Sequence, residues 1–118
     1  MSSPTNAAAP RFNLEVDQQG DRTVVHCSGR LMGESGNILR TEVKKLIAPG
    51  RRVVLDLTHV THSDSMGLSA IISLYVSSKS AGCRLELVNL GQKILQLFSM
   101  ANLLSLFEAA GDGRFRIP

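Results

Sequence analysis

The sequence predicts a single α/β domain built around a mixed sheet of four to five strands. Its 118 residues match the usual length of one domain. Segments typical of strands and helices alternate along the chain in the order β-β-α-β-α-β-α-β. Because strand–helix–strand units place their strands in parallel, strands two, three and four are predicted to be parallel. The first strand is predicted to return antiparallel, with the helices mainly on one face.

The beginning of the chain predicts a short tail followed by a hairpin. Residues 1–10 are Ser, Pro, Thr, Asn and Ala without apolar periodicity, so we expect a disordered leader before a domain at residues 11–118. Residues 12–16 alternate apolar and polar side chains, as a half-buried strand does. Gln19-Gly20-Asp21 is typical of a turn, and residues 23–28 predict the second strand of the hairpin.

A helix and a buried strand are predicted next. From Glu34 onwards the apolar spacing is that of an amphipathic helix, carried by Leu39, Val43, Leu46 and Ile47. Pro49-Gly50 ends this helix. Residues 52–57 form an apolar run typical of a strand that is buried on both faces of a parallel sheet.

The second half of the chain continues the alternation. Residues 58–64 are polar and predict a loop, and residues 65–80 predict a second helix. The inward stripe of this helix is predicted to contain Leu68, Ile71, Ile72, Tyr75 and Val76. Residues 83–90 predict a strand, residues 91–100 a third helix and residues 115–117 an edge strand. The predicted core includes Leu55, Leu57, Leu68, Ile71, Ile72, Leu85 and Leu87.

Composition argues against several classes of function. The 13 Lys and Arg exceed the 10 Asp and Glu by 3, but they are scattered, and aromatic residues are 4% of the chain, so we expect no direct nucleic-acid contact. No apolar run approaches the ~20 residues of a membrane span and no secretory signal is visible, so we expect a cytoplasmic protein without direct membrane contact. Nucleotide-binding glycine motifs are absent, and no cofactor is predicted. Cys27 and Cys83 are predicted to be buried free thiols.

The loop at residues 58–64 is the most informative segment for function. It follows a buried strand and leads into a helix, and functional groups gather at the carboxyl ends of parallel strands. Asp64 or Ser65 would be the N-cap of that helix. The partial positive charge at a helix N-terminus favours an anion, including a phosphate carried by Ser65. A simple structural cap is the alternative interpretation.

Two other chemistries are weaker alternatives. Ser65 on a strand-to-helix turn near His59 and His62 suggests a small serine hydrolase, but Ser63 stands where a nucleophile elbow needs its first glycine. His59, His62 and Asp64 could converge on a metal ion, but their spacing matches no zinc pattern. We therefore expect solvated histidines, no metal site and no catalytic residue.

Several segments in order along the chain carry a family pattern. They are residues 25–31 (VHCSGRL), 53–57 (VVLDL), 60–68 (VTHSDSMGL), 81–89 (AGCRLELVN), 94–98 (ILQLF) and 101–104 (ANLL). Over nearly the whole of the chain beyond the leader, this pattern resembles the STAS domain family, whose simplest members are bacterial anti-sigma factor antagonists. The Asp-Ser-x-Gly-Leu core at residues 64–68 is short, and its placement after a buried strand makes the combination specific.

The resemblance implies a protein-interaction switch without enzymatic activity. In phosphorylatable members, an anti-sigma factor with serine kinase activity phosphorylates the residue at the position of Ser65, and a PP2C-type phosphatase removes the phosphate. The unphosphorylated protein binds the anti-sigma factor and thereby frees the sigma factor. The residues expected to bind the partner are Thr58, His59, Thr61, His62, Ser63, Asp64, Met66, Gly67, Leu68, Met32 and Glu34.

The chain departs from the family pattern at two positions. Met32 stands where the family usually has an acidic residue, with Glu34 two residues later, and Met66 stands where many members have Ser or Thr. The same resemblance leaves another role open, as a STAS subunit of a lipid-transport complex or a stressosome-like scaffold that is not phosphorylated. A weak homodimer is also left open.

Overall fold

The computed structural model describes residues 11–100, 108–109 and 114–116. The predicted leader at residues 1–10 and the apolar residues 103–107 lie outside the described residues. The elements are β1 (Asn13–Gln19), β2 (Arg22–Leu31), α1 (Glu34–Lys44), β3 (Arg52–Ser63), α2 (Ser65–Ala81), β4 (Arg84–Val88), α3 (Gln92–Met100), β5 (Glu108–Ala109) and β6 (Arg114–Arg116).

The strands form one mixed sheet in the order β1-β2-β3-β4-β6-β5. β1 pairs antiparallel with β2, whereas β2, β3 and β4 are parallel, which confirms the predicted arrangement. β6 lies antiparallel to β4 and covers most of the edge strand predicted at residues 115–117. β5, which the sequence analysis did not predict, pairs with β6 and brings the sheet to six strands.

The predicted loop at residues 58–64 is wrong for most of its length. β3 continues to Ser63 and stays paired with β2, where His59, His62 and Ser63 lie opposite Ser28, Arg30 and Leu31. The hydroxyl of Thr61 also donates to the Gly29 carbonyl at 3.2 Å. Composition suggested a loop because the side chains are polar, but backbone pairing with the long β2 strand holds this segment extended. Register irregularities in β2 mark the transition from the buried to the exposed part of β3.

The main core lies between the helices and one face of the sheet. Every second residue of β2, β3 and β4 enters it, and α1, α2 and α3 supply the opposite side, for example Leu39, Leu74 and Ile94. The remaining face of the sheet carries a small apolar cluster of Val24, Val54 and Val88. Helices are therefore on one face, as predicted, and the carboxyl ends of β2 and β3 meet the N-termini of α1 and α2.

Most of the predicted core is confirmed, but α2 is rotated relative to the predicted stripe. Ile71 and Leu74 are enclosed, whereas Ile72 is half-buried and Val76 is 56% exposed. The stripe was misplaced because α2 is only weakly amphipathic, so its periodicity alone does not identify the inner face. The predicted core residues that are buried are Leu55, Leu57, Leu68, Ile71, Leu85 and Leu87.

The two cysteines are buried and unpaired with each other, as predicted. Burial, together with the nearby Asp56 carboxylate, raises the pKa of the Cys27 thiol to about 12, so this thiol is not nucleophilic at neutral pH. Within the part of the chain that the structure describes, no helix has the length and hydrophobicity required to cross a membrane.

Candidate functional site at the N-terminus of the second helix

Asp64 is the N-cap of α2 and connects three segments of the chain. Its Oδ1 accepts hydrogen bonds from the backbone N–H groups of Met66 and Gly67, both at 3.0 Å. Its Oδ2 accepts from the N–H of Gly33, also at 3.0 Å, and its own N–H donates to the Leu31 carbonyl at 3.4 Å. Burial acts to raise the pKa of Asp64, but the donated backbone hydrogen bonds outweigh it and lower the pKa below its ordinary value.

Ser65 is the first residue of α2, directly after this cap. Its side chain is exposed, and that of Met66 is 56% exposed. Hydrogen bonds to Asp64 fix the backbone that follows Ser65, at Met66 and Gly67. An exposed hydroxyl on a rigid helix start is accessible to a modifying enzyme.

Two glycines allow close packing around the N-terminus of α2: Gly67 against the ends of β2 and β3, and Gly36 of α1 against the start of α2. A Cβ at Gly67 would lie 2.5 Å from the Leu31 carbonyl oxygen and 2.8 Å from the Ser63 hydroxyl. A Cβ at Gly36 would lie 2.7 Å from the Met66 carbonyl oxygen. Gly67 was predicted from the sequence as a site residue but Gly36 was not, since a lone glycine in a helix gives no signal of what it contacts.

Beside Ser65, one shallow groove runs between α1 and α2. We call it the helical groove, and it is lined by Gly33, Glu34, Asn37, Arg40, Met66 and Ser69. Glu34 and Met66, which the sequence analysis placed on the partner-binding surface, thus lie on opposite walls of the same groove. Arg40 donates to the Asn37 side chain across one turn of α1.

A second groove lies on the other side of the cap. We call it the arginine groove, and its walls and floor include Arg11, Phe12, Arg30, Met32, Ile38 and Asp64. Gly29 allows residues 11–12 to cross over β2 and line this groove. It adopts φ +93°, and the absence of a side chain leaves room for the Arg11 carbonyl group. The sequence analysis identified Met32 and Asp64 but not the other four residues, because the crossing of residues 11–12 over β2 is a tertiary contact.

The remaining predicted site residues are distributed along β3 and α2. Thr58, His59, Thr61 and His62 are exposed on the end of β3, and Ser63 is partly buried. Gly67 and Leu68 are buried, so they position the start of α2 and offer little side-chain surface to a partner. The structure therefore brings Met32, Glu34, Asp64 and Met66 around Ser65, and leaves the β3 residues on an adjoining exposed strand.

Another polar cluster, which the sequence analysis missed, lies where β3 enters its exposed part. His26 Nδ1 lies 3.1 Å from Asp56 Oδ2. Asp56 Oδ1 accepts from the backbone N–H and hydroxyl of Thr58, at 3.0 and 2.5 Å, and from Asn89 at 3.3 Å. Burial acts to raise the pKa of Asp56, but these hydrogen bonds outweigh it, so the pKa is lowered.

These contacts give no support to the hydrolase and metal alternatives. Within the described residues, no hydrogen bond joins the Ser65 hydroxyl to a histidine, and no three ligand side chains are grouped so that they could hold a metal ion. His26 pairs with Asp56, while His62 contacts the neighbouring Thr61 hydroxyl at 3.0 Å. The candidate site is therefore best described as a surface around an exposed serine.

Comparison with known proteins identifies the family. The family model described as the STAS domain matches residues 13–113. The chain belongs to the STAS domain family. The match covers nearly all of the sheet and all three helices, so the site at Ser65 lies within the family's own fold.

This STAS domain is similar to proteins with related names. The anti-sigma-B factor antagonist of Bacillus subtilis (strain 168) is 26% identical over 97 residues, which cover 82% of this chain and 89% of that protein. The crystal structure of an anti-sigma factor antagonist from Mycobacterium paratuberculosis has a TM-score of 0.71 at 19% identity, covering 80% of this chain and 81% of that one. The Bacillus cell fate determinant SpoIIAA in its phosphorylated form has a TM-score of 0.60 at 19% identity, covering 79% and 85% of the two chains. At these identities the structural likenesses concern the fold.

Proposed function

We propose that this STAS domain is a cytoplasmic anti-sigma factor antagonist that binds an anti-sigma factor with serine kinase activity. The observation that carries the proposal is the exposed hydroxyl of Ser65, directly after an N-cap aspartate and between two grooves. The name of the Bacillus subtilis relative supports the same class of function. The protein acts by binding, and the chemistry is supplied by its partners.

The cycle has two states of Ser65. The kinase partner transfers the γ-phosphoryl group of ATP to the serine oxygen, whose proton is released, and a PP2C-type phosphatase later hydrolyses the phosphate ester. A phosphoserine carries about −1.5 to −2 charges at pH 7. Because the N–H groups of Met66 and Gly67 already bind Asp64, these two are not available to neutralise this charge. The added charge therefore acts on whatever approaches the surface around Ser65.

The phosphate changes complementarity without refolding the domain. Ser65 is exposed and lies outside the core, so the modified side chain extends into the interface rather than into the protein. Loss of complementarity at a close charged contact costs about 2 kcal/mol or more. That corresponds to a complex weaker by roughly 30-fold.

The test uses the full chain and the serine-kinase anti-sigma factors encoded in the same genome, each produced as a pure protein. Incubation with MgATP is expected to phosphorylate Ser65, as located by mass spectrometry, and Ser65→Ala is expected to abolish the modification. Ser80→Ala is the matched control, since Ser80 is exposed in the last turn of the same helix. Calorimetry is expected to give a roughly 30-fold weaker complex for the phosphorylated form, and PP2C treatment is expected to restore affinity.

Two outcomes contradict the proposal. If none of these kinases binds the unmodified domain, a serine-kinase anti-sigma factor is excluded as the partner. If the phosphorylated and unmodified forms bind with equal affinity, Ser65 is excluded as the switch. The second result would favour a STAS subunit of a transport complex or a scaffold, which binds through the same surface without phosphorylation.

A further inference from the structure

The grooves beside Ser65 are lined by arginines that form no ion pair among the described residues. Arg11 and Arg30 are exposed and stand on the walls of the arginine groove. Among the described residues neither guanidinium pairs with a carboxylate, and the Arg30 Nη2 contacts the Met32 sulfur at 3.8 Å. Arg40 borders the neighbouring groove and likewise makes no ion pair in the described part of the chain.

Among the described residues that line the arginine groove, the one carboxylate is that of Asp64, and it is already hydrogen-bonded to backbone N–H groups. Both oxygens of Asp64 accept backbone hydrogen bonds, from Met66 and Gly67 on one side and Gly33 on the other. This geometry directs the carboxylate towards the protein's own backbone. Met32, which lines the same groove, is apolar.

The floor between the two arginines is apolar. Phe12 and Met32 are partly buried, and Ile38 is 49% exposed although it is a large aliphatic residue at the start of α1. Such an apolar floor with charged walls favours an apolar side chain flanked by opposite charge.

We propose that the arginine groove docks an acidic segment of the partner protein that also carries an apolar side chain. A carboxylate of that segment binds between Arg11 and Arg30, where guanidinium groups can form charge-assisted, bidentate hydrogen bonds. The apolar side chain rests on Met32 and Ile38. This inference rests on the proposed function for the identity of the partner, but the chemistry of the segment comes from the groove itself.

The same arrangement explains how a phosphate at Ser65 would act. Ser65 adjoins Asp64, which lines the arginine groove, and Met66, which lines the helical groove. A phosphate there adds negative charge beside the arginines that the acidic segment needs. It both competes for the guanidinium groups and repels the incoming carboxylates, so an acidic partner is released by phosphorylation.

The first arm of the test needs no natural partner. The isotope-labelled full chain is titrated with the peptide acetyl-GEELFEEG-amide and with its matched counterpart in which every Glu is Lys. Amide shifts are expected at Phe12, Arg30, Met32 and Ile38 with the acidic peptide, and none at these positions with the basic one. Equal shifts from both peptides, larger shifts from the basic peptide, or no shift at millimolar acidic peptide would each overturn the inference.

The second arm uses the serine-kinase anti-sigma factor that binds the unmodified domain. Arg11→Glu and Arg30→Glu are each expected to weaken that complex by about tenfold or more. Neither substitution is expected to change the melting temperature of the domain in thermal unfolding. Arg84→Glu is the matched control, because Arg84 is exposed at the opposite end of the parallel strands, and it is expected to change affinity less than ~2-fold. Binding that is unchanged or tightened by both reversals would overturn the acidic-segment inference while leaving the proposed function intact.

The two arms separate the two ideas. If no kinase partner binds but the acidic peptide occupies the groove, the proposed function fails and the docking chemistry stands. If the kinase binds and the arginine reversals do not change its affinity, the proposed function stands and the acidic-segment inference fails. A compensating Glu→Arg change in the partner's docking segment, tested against Arg30→Glu, is expected to recover at least ~5-fold of the lost affinity if the contact is direct.

Discussion

The carboxylate of Asp64 accepts a hydrogen bond from the backbone N–H of Gly33 at 3.0 Å, although the two residues are 31 positions apart. Through this bond the cap of α2 also holds the residue that precedes α1. The two helix starts and the two grooves around Ser65 are thus fixed relative to each other by one side chain. Changes at Asp64 are therefore expected to affect both stability and the candidate binding surface.

Removing the cap tests this relationship. Asp64→Ala is expected to lower the free energy of unfolding by about 1 kcal/mol, within the range of 0.5–2 kcal/mol measured for lost N-caps. Asp64→Asn should retain most of that stability, because an amide oxygen still accepts from the helix N–H groups. Urea unfolding measures both, with Asp17→Ala on the exposed β1 strand as the control. A change at Asp64→Ala no larger than at Asp17→Ala would contradict the capping role.

The lowered pKa of Asp64 predicts a dependence of stability on pH. Its pKa is lower in the folded protein than the value of about 3.9 in an unfolded chain, so the unfolded state binds more protons between the two values. The stabilisation is therefore complete above the unfolded pKa and is lost as the pH falls through the folded pKa. The difference in unfolding free energy between the parent and Asp64→Asn should shrink from pH 6 towards pH 3. A constant difference across that range would show that the charge of Asp64 contributes nothing.

The close packing of α1 and of the end of β2 against the start of α2 predicts a steric effect of small substitutions. Gly67→Ala and Gly36→Ala each place a Cβ within 2.5–2.7 Å of a backbone carbonyl oxygen. Overpacking of this kind costs about 1–3 kcal/mol, which exceeds the gain in helix propensity. Gly91→Ala is the control, since its Cβ would meet no atom of the described residues within 4 Å. Equal melting temperatures for Gly36→Ala and Gly91→Ala would mean that the helices are further apart than described.

The orientation of α2 can be tested by truncating neighbouring apolar residues. Leu74→Ala is expected to cost about 2–5 kcal/mol because Leu74 is fully enclosed. Ile72→Ala should cost less, since Ile72 is half-buried, and Val76→Ala should stay within about 0.5 kcal/mol because Val76 is exposed. Denaturant melts of the three variants give this order directly. A larger loss of unfolding free energy for Val76→Ala than for Leu74→Ala would instead support the inward stripe predicted from the sequence.

The exposed histidines of β3 are expected to be dispensable for folding. His59→Ala and His62→Ala should each change the free energy of unfolding by less than about 0.5 kcal/mol, as ordinary surface substitutions do. The purified protein should also bind no stoichiometric zinc, which elemental analysis measures. Zinc that is retained by the parent and lost from both variants would reverse this interpretation.

The sequence was most informative where local periodicity and tertiary structure agree. The alternation at residues 12–16, the β-branched run at residues 23–28, the helix beginning at Glu34 and the apolar run at residues 52–57 each carry their own signal, and each of these elements is confirmed. The Asp-Ser-x-Gly-Leu core at residues 64–68 likewise located the helix start, because a cap and a first turn are made by neighbours in the chain.

Tertiary structure decided the features whose partners are distant in sequence. The polar end of β3 is a strand because it pairs with the backbone of β2. The inner face of α2 is set by packing on the sheet, because the helix is only weakly amphipathic. Asp64 was visible as a cap, but its bond to Gly33 was not. The grooves beside Ser65 arise where residues 11–12 cross Gly29 and where Gly36 meets Met66. Such contacts depend on how closely two backbones approach, and a single sequence without its fold carries no measure of that distance.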